Sequence, residues 1–480
     1  MNHTPLYIGN MDHEYRCNLI YAGFGLFLLL FPFLDIKVLA VLSFLLFVSL
    51  KLLPENSWLF KLLAKKRSNG YSQIETHGIT SAQNLSAAAF TLLLVGALLD
   101  FTSYSYPLYI IGGAIAISTF GDMVADFVRY NDQVKFQSLT KKEYNGRIYS
   151  NEMQTSYSVP SSIAMLITGI IAAFLVGLWI VHWQGTVVSY NVIFFVAVTG
   201  AMIGALFKSI PSVIDDKLSV PLASGMAMWM FSALEYSVSP TQLAEAFLFS
   251  LVLAYLAYRV RIADISALLS AALLGVLILV FTDISWFIIL IAFFLLGGGF
   301  TKYRYEYKKT LGIAQSKGGV RSYEHVFCNS TTAVVLAVAH GIYPAYGEMI
   351  LYAYLGTVAT ATGDTLASEI GSTAHERPRM ITTLKPAEPG VDGAISVLGE
   401  LAAFAGSLFI GLLAAAFGIC ENTLLAIIIP TIGGLIGTNI DSLLGATLQN
   451  RGMLSNSGVN FMSTFAGALV AAGVYMLIGY

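Results

Sequence analysis

Long apolar runs follow one another along nearly the whole chain, from Asn18 to the stretch beginning at Gly458. About fifteen are legible, most of them long enough to cross a bilayer, which takes roughly 17–25 residues. No other feature constrains the fold as much. Lipid offers the backbone no water, so a spanning segment must bond its own amides as a helix or close into a barrel. The runs are continuous rather than alternating, which excludes the barrel pattern. Composition agrees: 11% of the 480 residues are charged and 56% hydrophobic, against about 25% charged in soluble domains. The expected fold is all-α, a polytopic helical membrane protein of about 15 spans.

Basic residues orient these spans. With the N-terminus in the cytoplasm, every one of the 26 Lys and Arg residues except Lys37 falls on a cytoplasmic loop or span end, the positive-inside bias. The first run follows a polar start with Asp12, Glu14 and Arg16 and has no signal-peptide pattern. The expected location is therefore a prokaryotic plasma membrane, with the N-terminus cytoplasmic. Cys17, Cys328 and Cys420 form no CxxC pair and are expected to be structural, and the histidines lack zinc-ligand spacing. A net charge of −2 carries no nucleic-acid signal.

Self-comparison reveals a second periodicity. "GDMVADF" at Gly121 matches "GDTLASE" at Gly363, and "GITS" at Gly78 matches "GVRS" at Gly319. "GALFK" at Gly204 aligns with "GATLQ" at Gly445, and "KLSVPLASG" at Lys217 with "NFMSTFAG" at Asn460. The four pairs occur in the same order at a nearly constant offset. They predict two homologous bundles, 1–240 and 241–480, each copy facing the same way across the membrane. Thr80 stands where the second copy has Arg321, and Lys217 where it has Asn460. The second copy keeps more polar chemistry and is expected to hold the active site.

That chemistry begins in "ATATGDTLASEIG", 359–371, the end of an apolar run that nevertheless carries Asp364 and Glu369. A carboxylate at helix depth costs several kcal/mol unless paired, hydrated or metal-bound. Thr360, Asp364 and Ser368 share one helical face, and the small residues around them permit close approach. In the loop that follows, Gly390 and Gly393 allow backbone amides to turn toward an anion, and Lys385 adds a positive charge. Glu388 and Ser396 lie in the same loop, which reads either as a phosphate cradle or as an ordinary cytoplasmic turn. "GGLIGTNIDSLLGATLQNRG" supplies Asp441 and Gln449 behind a Gly433/Gly437 packing face. Asn460 opens the last run, as a ligand or as a helix cap, and Arg321 and Asn329 sit at the mouth of another. All converge on one membrane face. Asp364, Asp441 and Glu369 suit Mg²⁺, which takes few carboxylates plus substrate phosphates, and Arg321 and Lys385 suit the phosphates themselves. The reaction class is phosphoryl or nucleotidyl transfer where lipid meets water.

"GDTLASEIG", "ITTLKPAEPGVDGAISVLGELAA", "NIDSLLGATLQ" and "VNF" resemble the membrane family that includes plant phytyl-phosphate kinase and a human transmembrane relative. The likeness runs from about Glu245 to Tyr480. The first half, with "GDMVAD" and "IDDKLSVPL", looks like the CTP-using phytol and dolichol kinases, but Lys208 and Lys217 stand where an acid and an asparagine are expected. The resemblance implies a kinase that makes a prenyl diphosphate from the monophosphate and a nucleoside triphosphate, CTP or ATP. Asp364, Lys385 and Arg321 would be catalytic. Asn329, Glu388, Gly393, Ser396, Gln449 and Asn460 would bind substrate, and Asp364, Glu369 and Asp441 would bind Mg²⁺. Two alternatives remain open: a CTP-dependent lipid-phosphate nucleotidyltransferase, and a lipid transporter or flippase.

Overall fold

The computed structural model describes residues 17, 21, 23, 25–63, 65–66, 74–75, 77–102, 104–131, 159–209, 214–234, 236–260, 263–314 and 320–478. The polar start, Asn18, most of the basic loop between Arg129 and Arg147, and Gly319 lie outside the described residues. The chain is all-α apart from two-residue ladders, Lys65–Lys66 with Ile74–Glu75 and Arg379–Met380 with Ala394–Ile395 among the described residues. It forms two compact units, Met1–Gln242 and Leu243–Tyr480.

In the first unit a 3-10 segment, Leu26–Phe33, precedes α1 (Ile36–Lys51), α2 (Trp58–Leu63) and α3 (His77–Leu99). Then come α4 (Leu108–Asn131), α5 (Val159–Gln184), α6 (Tyr190–Ser209) and α7 (Asp216–Ala233). Helix α4 is the most buried and packs on α5 and α7. It widens into a π-turn at Ile117–Gly121, immediately before Asp122.

The second unit follows from α8 (Pro240–Arg259) through α9 (Ile265–Phe281), α10 (Ile284–Lys302) and the short α11 (Tyr305–Thr310). Helices α12 (Tyr323–Ile342), α13 (Gly347–Gly371), α14 (Val397–Phe417), α15 (Thr423–Leu444) and α16 (Asn456–Leu477) complete it. Helix α13 is the axis of this unit, with α10, α12, α14, α15 and α16 packed around it. A helix enclosed by protein need not dissolve in lipid, so α13 can be built from Ala, Thr and Gly. Its hydroxyls bond inward: Thr362 Oγ1 donates to Val358 O at 2.7 Å, and Thr360 Oγ1 donates to Gly356 O at 2.8 Å.

Burial of this kind lowers the hydropathy of a helix without shortening it. Ten helices among the described residues are long and apolar enough to cross a membrane. The other five runs became the 3-10 segment, α1 and α9 of 16 and 17 residues, and α7 and α13, which are rich in small and polar residues. Hydropathy measures contact with lipid, and α13 is surrounded by protein instead.

Small residues let the helices of this unit close on one another. Gly433 and Gly437 of α15 face Gly467 and Thr360, as their spacing predicts. A Cβ on Gly363 would lie 2.8 Å from Ser407 Oγ, 2.9 Å from Thr438 Oγ1 and 3.1 Å from Ala403 O. Gly363→Ala is therefore expected to destabilise the protein by about 1–3 kcal/mol through overpacking. Gly299→Ala, with nothing within 4 Å, should be neutral or slightly stabilising. Thermal unfolding of the two variants in detergent checks the contrast.

Candidate active site

Helix α13 ends at Gly371, and the chain re-enters helix at Ser396, whose hydroxyl accepts the Gly399 amide at 3.1 Å. Alternating helix directions bring the N-terminal ends of α12, α14 and α16 together with the C-terminal ends of α13 and α15. With the segment 372–396 they enclose a polar cavity of about 400 Å³. Three positive helix dipole ends thus meet around it.

Asp364 and Asp441 face each other in this cavity, from α13 and α15, close enough for their carboxyl groups to interact directly. Ser463 of α16 donates to Asp441 Oδ2 at 2.8 Å and fixes its orientation. Asp364 makes no ion pair among the described residues. Two like charges at this range must share a proton or a cation.

Arg321 lies on the wall just before α12. It is only 5% exposed, its Nε has no hydrogen-bond partner, and its guanidinium stacks over Phe293 at 5.4 Å. Its backbone is tied down where Asp264 N donates to Arg321 O at 3.0 Å. Glu369 is near enough for its charge to act on this guanidinium, but a buried donor left unfilled is costly, so Nε is free to take a further anion.

The cavity gathers further expected residues. Asn329 donates to His325 O at 3.0 Å and to Cys328 Sγ at 3.2 Å, and Asn460 reaches the same sulfur at 3.9 Å. Asn460 does not cap α16: Ser455 does, accepting the Gly458 amide at 3.2 Å. Gln449 donates to Asp392 Oδ2 at 2.8 Å. Gly393 and Gly390 both adopt φ of 82°, the turned backbone their composition predicts.

Three expected residues are placed elsewhere. Lys385 and Glu388 are exposed on the turn between Met380 and Gly390, outside the cavity wall. The Arg379–Met380/Ala394–Ile395 ladder holds that turn, and Leu384 beside Lys385 takes φ of 54°. Glu369 is buried and ion-paired with Lys308 of α11, so its charge already has a cation. Accordingly, no group of three or more His, Cys, Asp or Glu suited to a metal exists among the described residues. A pair of carboxylates is still sufficient for Mg²⁺ that arrives on phosphates.

Asp392 and Glu400, which the sequence motifs do not single out as ligands, also line the cavity. Glu400 accepts from Asn439 Nδ2 at 3.1 Å. Its signal was present, a lone acid one turn into an apolar run. Asp392 was masked by the glycines on either side. With these acids and a single arginine, the cavity favours a phosphate that brings its own counter-cations.

The "GD" motif of the first unit is arranged differently. Asp122 is fully buried, with Lys208 Nζ 2.8 Å from one oxygen and Lys217 Nζ 2.8 Å from the other. Lys208 also lies 3.2 Å from Asp126. Both carboxylate oxygens of Asp122 are thus taken by ammonium groups.

Residues 248–468, which include every cavity residue named above, match the family described as integral membrane protein DUF92. A membrane protein of Methanocaldococcus jannaschii is 31% identical over 226 residues, 47% of this chain and 90% of the relative. Another, from Synechocystis, is 35% identical over 42% of this chain and 79% of its own length. The chain belongs to the DUF92 family. Protein VTE6 of Arabidopsis thaliana, chloroplastic by name, is 27% identical over 43% of this chain and 63% of that protein. No solved structure matches this DUF92 protein. Multi-pass insertion in a membrane is thus common ground between its helices and its family.

Proposed function

We propose that this DUF92 protein is a membrane phosphotransferase whose second unit moves the terminal phosphoryl group of CTP or ATP onto an isoprenoid monophosphate. The observation that carries the reading is the facing pair Asp364 and Asp441, with Arg321, whose Nε has no hydrogen-bond partner, in the same cavity. The motif resemblance to the phytyl-phosphate kinase family supports the substrate class.

Asp364 and Asp441 would hold Mg²⁺, which supplies charge neutralisation across the donor phosphates. Ser463 keeps Asp441 aimed. Arg321 offers a planar set of donors to the phosphate of the lipid or to the group in transit. An oxygen of the monophosphate attacks the terminal phosphorus, and the bond to the bridging oxygen breaks, releasing a nucleoside diphosphate. A phosphate monoester is largely ionised at neutral pH, with its second pKa near about 6, so no strong base is required. Positioning and electrostatics do most of the work. The polar groups gather at one end of the helices, which favours chemistry at the interface over passage through the bundle.

The test is purified protein in detergent with Mg²⁺, geranylgeranyl monophosphate, and CTP or ATP labelled at the α- or γ-phosphate. The expected result is γ-label in a prenyl diphosphate. Label entering only from the α-phosphate, with pyrophosphate released, would assign a nucleotidyltransferase. Folded protein that transfers neither label would retire the enzyme reading in favour of transport.

A further inference from the structure

We propose that the hydrocarbon tail of the lipid phosphate lies in an apolar groove between α8, α9 and α10, and that Arg321 marks the junction of head and tail. This rests on the reading that the polar cavity takes a lipid phosphate. The groove has a volume of about 260 Å³ and is lined by aliphatic and aromatic side chains, with Ser250 and Arg321 as its polar exceptions. Among the described residues, Arg321 alone lines both the groove and the polar cavity.

Its fit there is close. The guanidinium lies against Gly297 of α10, where a Cβ would come within 2.9 Å of Cζ. It rests on the face of Phe293, and its Nε is unpartnered. A buried cation flanked by a wet space and a dry one matches an amphiphile whose anion and chain separate at that point. Neither a free nucleotide nor inorganic phosphate would use the dry side.

Ala254 and Ala257 line the groove on α8, and Ala267 and Ala271 on α9, and their short side chains leave the space between the helices open. Its rim residues Leu256, Val260 and Leu295 are exposed, so a chain can slide in sideways from the bilayer without crossing water. Along α8 it runs from Ser250 to Val260, about 15 Å at 1.5 Å per residue. That is roughly half the hydrocarbon thickness of a bilayer. Carbons near the headgroup should therefore be gripped, and those beyond should lie in lipid.

Two measurements test this. First, a geranylgeranyl monophosphate carrying a diazirine on its chain is irradiated with the unaltered protein, without nucleotide, and the labelled peptides are mapped. Labels on α8, α9 and α10 support the groove, and labels confined to α14–α16 or to the first unit overturn it. This readout needs neither turnover nor a variant that folds, so labelled groove residues in a protein that transfers nothing would keep the groove and retire the kinase. Second, Ala257→Trp and Ala271→Trp, at two partly buried positions of its wall, fill the groove. KM for the twenty-carbon monophosphate should rise about tenfold or more, while KM for a five-carbon prenyl monophosphate stays within about twofold. An equal effect on both chain lengths, or none on either, overturns the proposal.

Discussion

Asp364→Asn is expected to lower kcat for prenyl diphosphate formation by roughly 10³-fold or more, with thermal unfolding unchanged or slightly raised. The substitution keeps the shape of the side chain and removes one negative charge. Asp364 makes no ion pair among the described residues and faces Asp441 directly, so the loss relieves repulsion and orphans no cation. A carboxylate whose removal costs no stability but nearly all activity is one retained for chemistry. Asp441→Asn should behave alike, and the double variant should be little worse than either single one, because a bridged cation is lost with its first ligand. The measurements are initial rates at saturating Mg²⁺, unfolding in detergent, and Mn²⁺ binding by electron paramagnetic resonance as a readout separate from turnover. Should Asp364→Asn keep its activity and its Mn²⁺ affinity, the facing pair would be no more than a hydrated helix end.

Much of this cavity was legible in the sequence for a physical reason. An acid in a run of Ala, Thr and Gly is anomalous in lipid, and so is a second acid in another such run; both point to a protein-lined polar space. Asp364 and Asp441 were found this way, and the helices do bring them together. Glu369 is as anomalous in its run as Asp364, but its cation lies 61 residues away in the chain. Nothing local distinguishes Lys308 from the other lysines of a basic loop that charge bias assigns to water. Lys385 is a different case. Glycines and prolines around it correctly announced a loop, yet a two-residue ladder decides which way the turn faces. The hydropathy signal is weakest where burial replaces lipid contact, at α7 and α13. In the first unit, Lys208 and Lys217 were recognised as misfits beside an intact "GD" motif. Their meaning emerged only when both ammonium groups were found on Asp122.

Glu369→Gln should act in the opposite sense to Asp364→Asn, although both residues lie on α13. Lys308 is 2% exposed and Glu369 5%. The Lys308 ammonium also donates to Thr301 O at 2.9 Å and Phe300 O at 3.3 Å. It thereby ties α11 and the end of α10 to α13. Neutralising Glu369 leaves that ammonium buried without its counter-charge, a change worth about 3–5 kcal/mol. Glu369→Gln is therefore expected to unfold at markedly lower temperature, with activity per folded molecule reduced far less than in Asp364→Asn. Lys308→Met should show the mirror-image loss. Lys308→Met/Glu369→Met should regain most of the stability, since an apolar pair of similar size often replaces a buried ion pair at little cost. Were Glu369 a metal ligand instead, its neutralisation would weaken Mn²⁺ binding at an unchanged unfolding temperature, and removing Lys308 as well would restore nothing. The two acids of one helix thus separate by partner: Glu369 faces a lysine of its own chain and holds the fold, whereas Asp364 faces another acid and awaits a cation from outside.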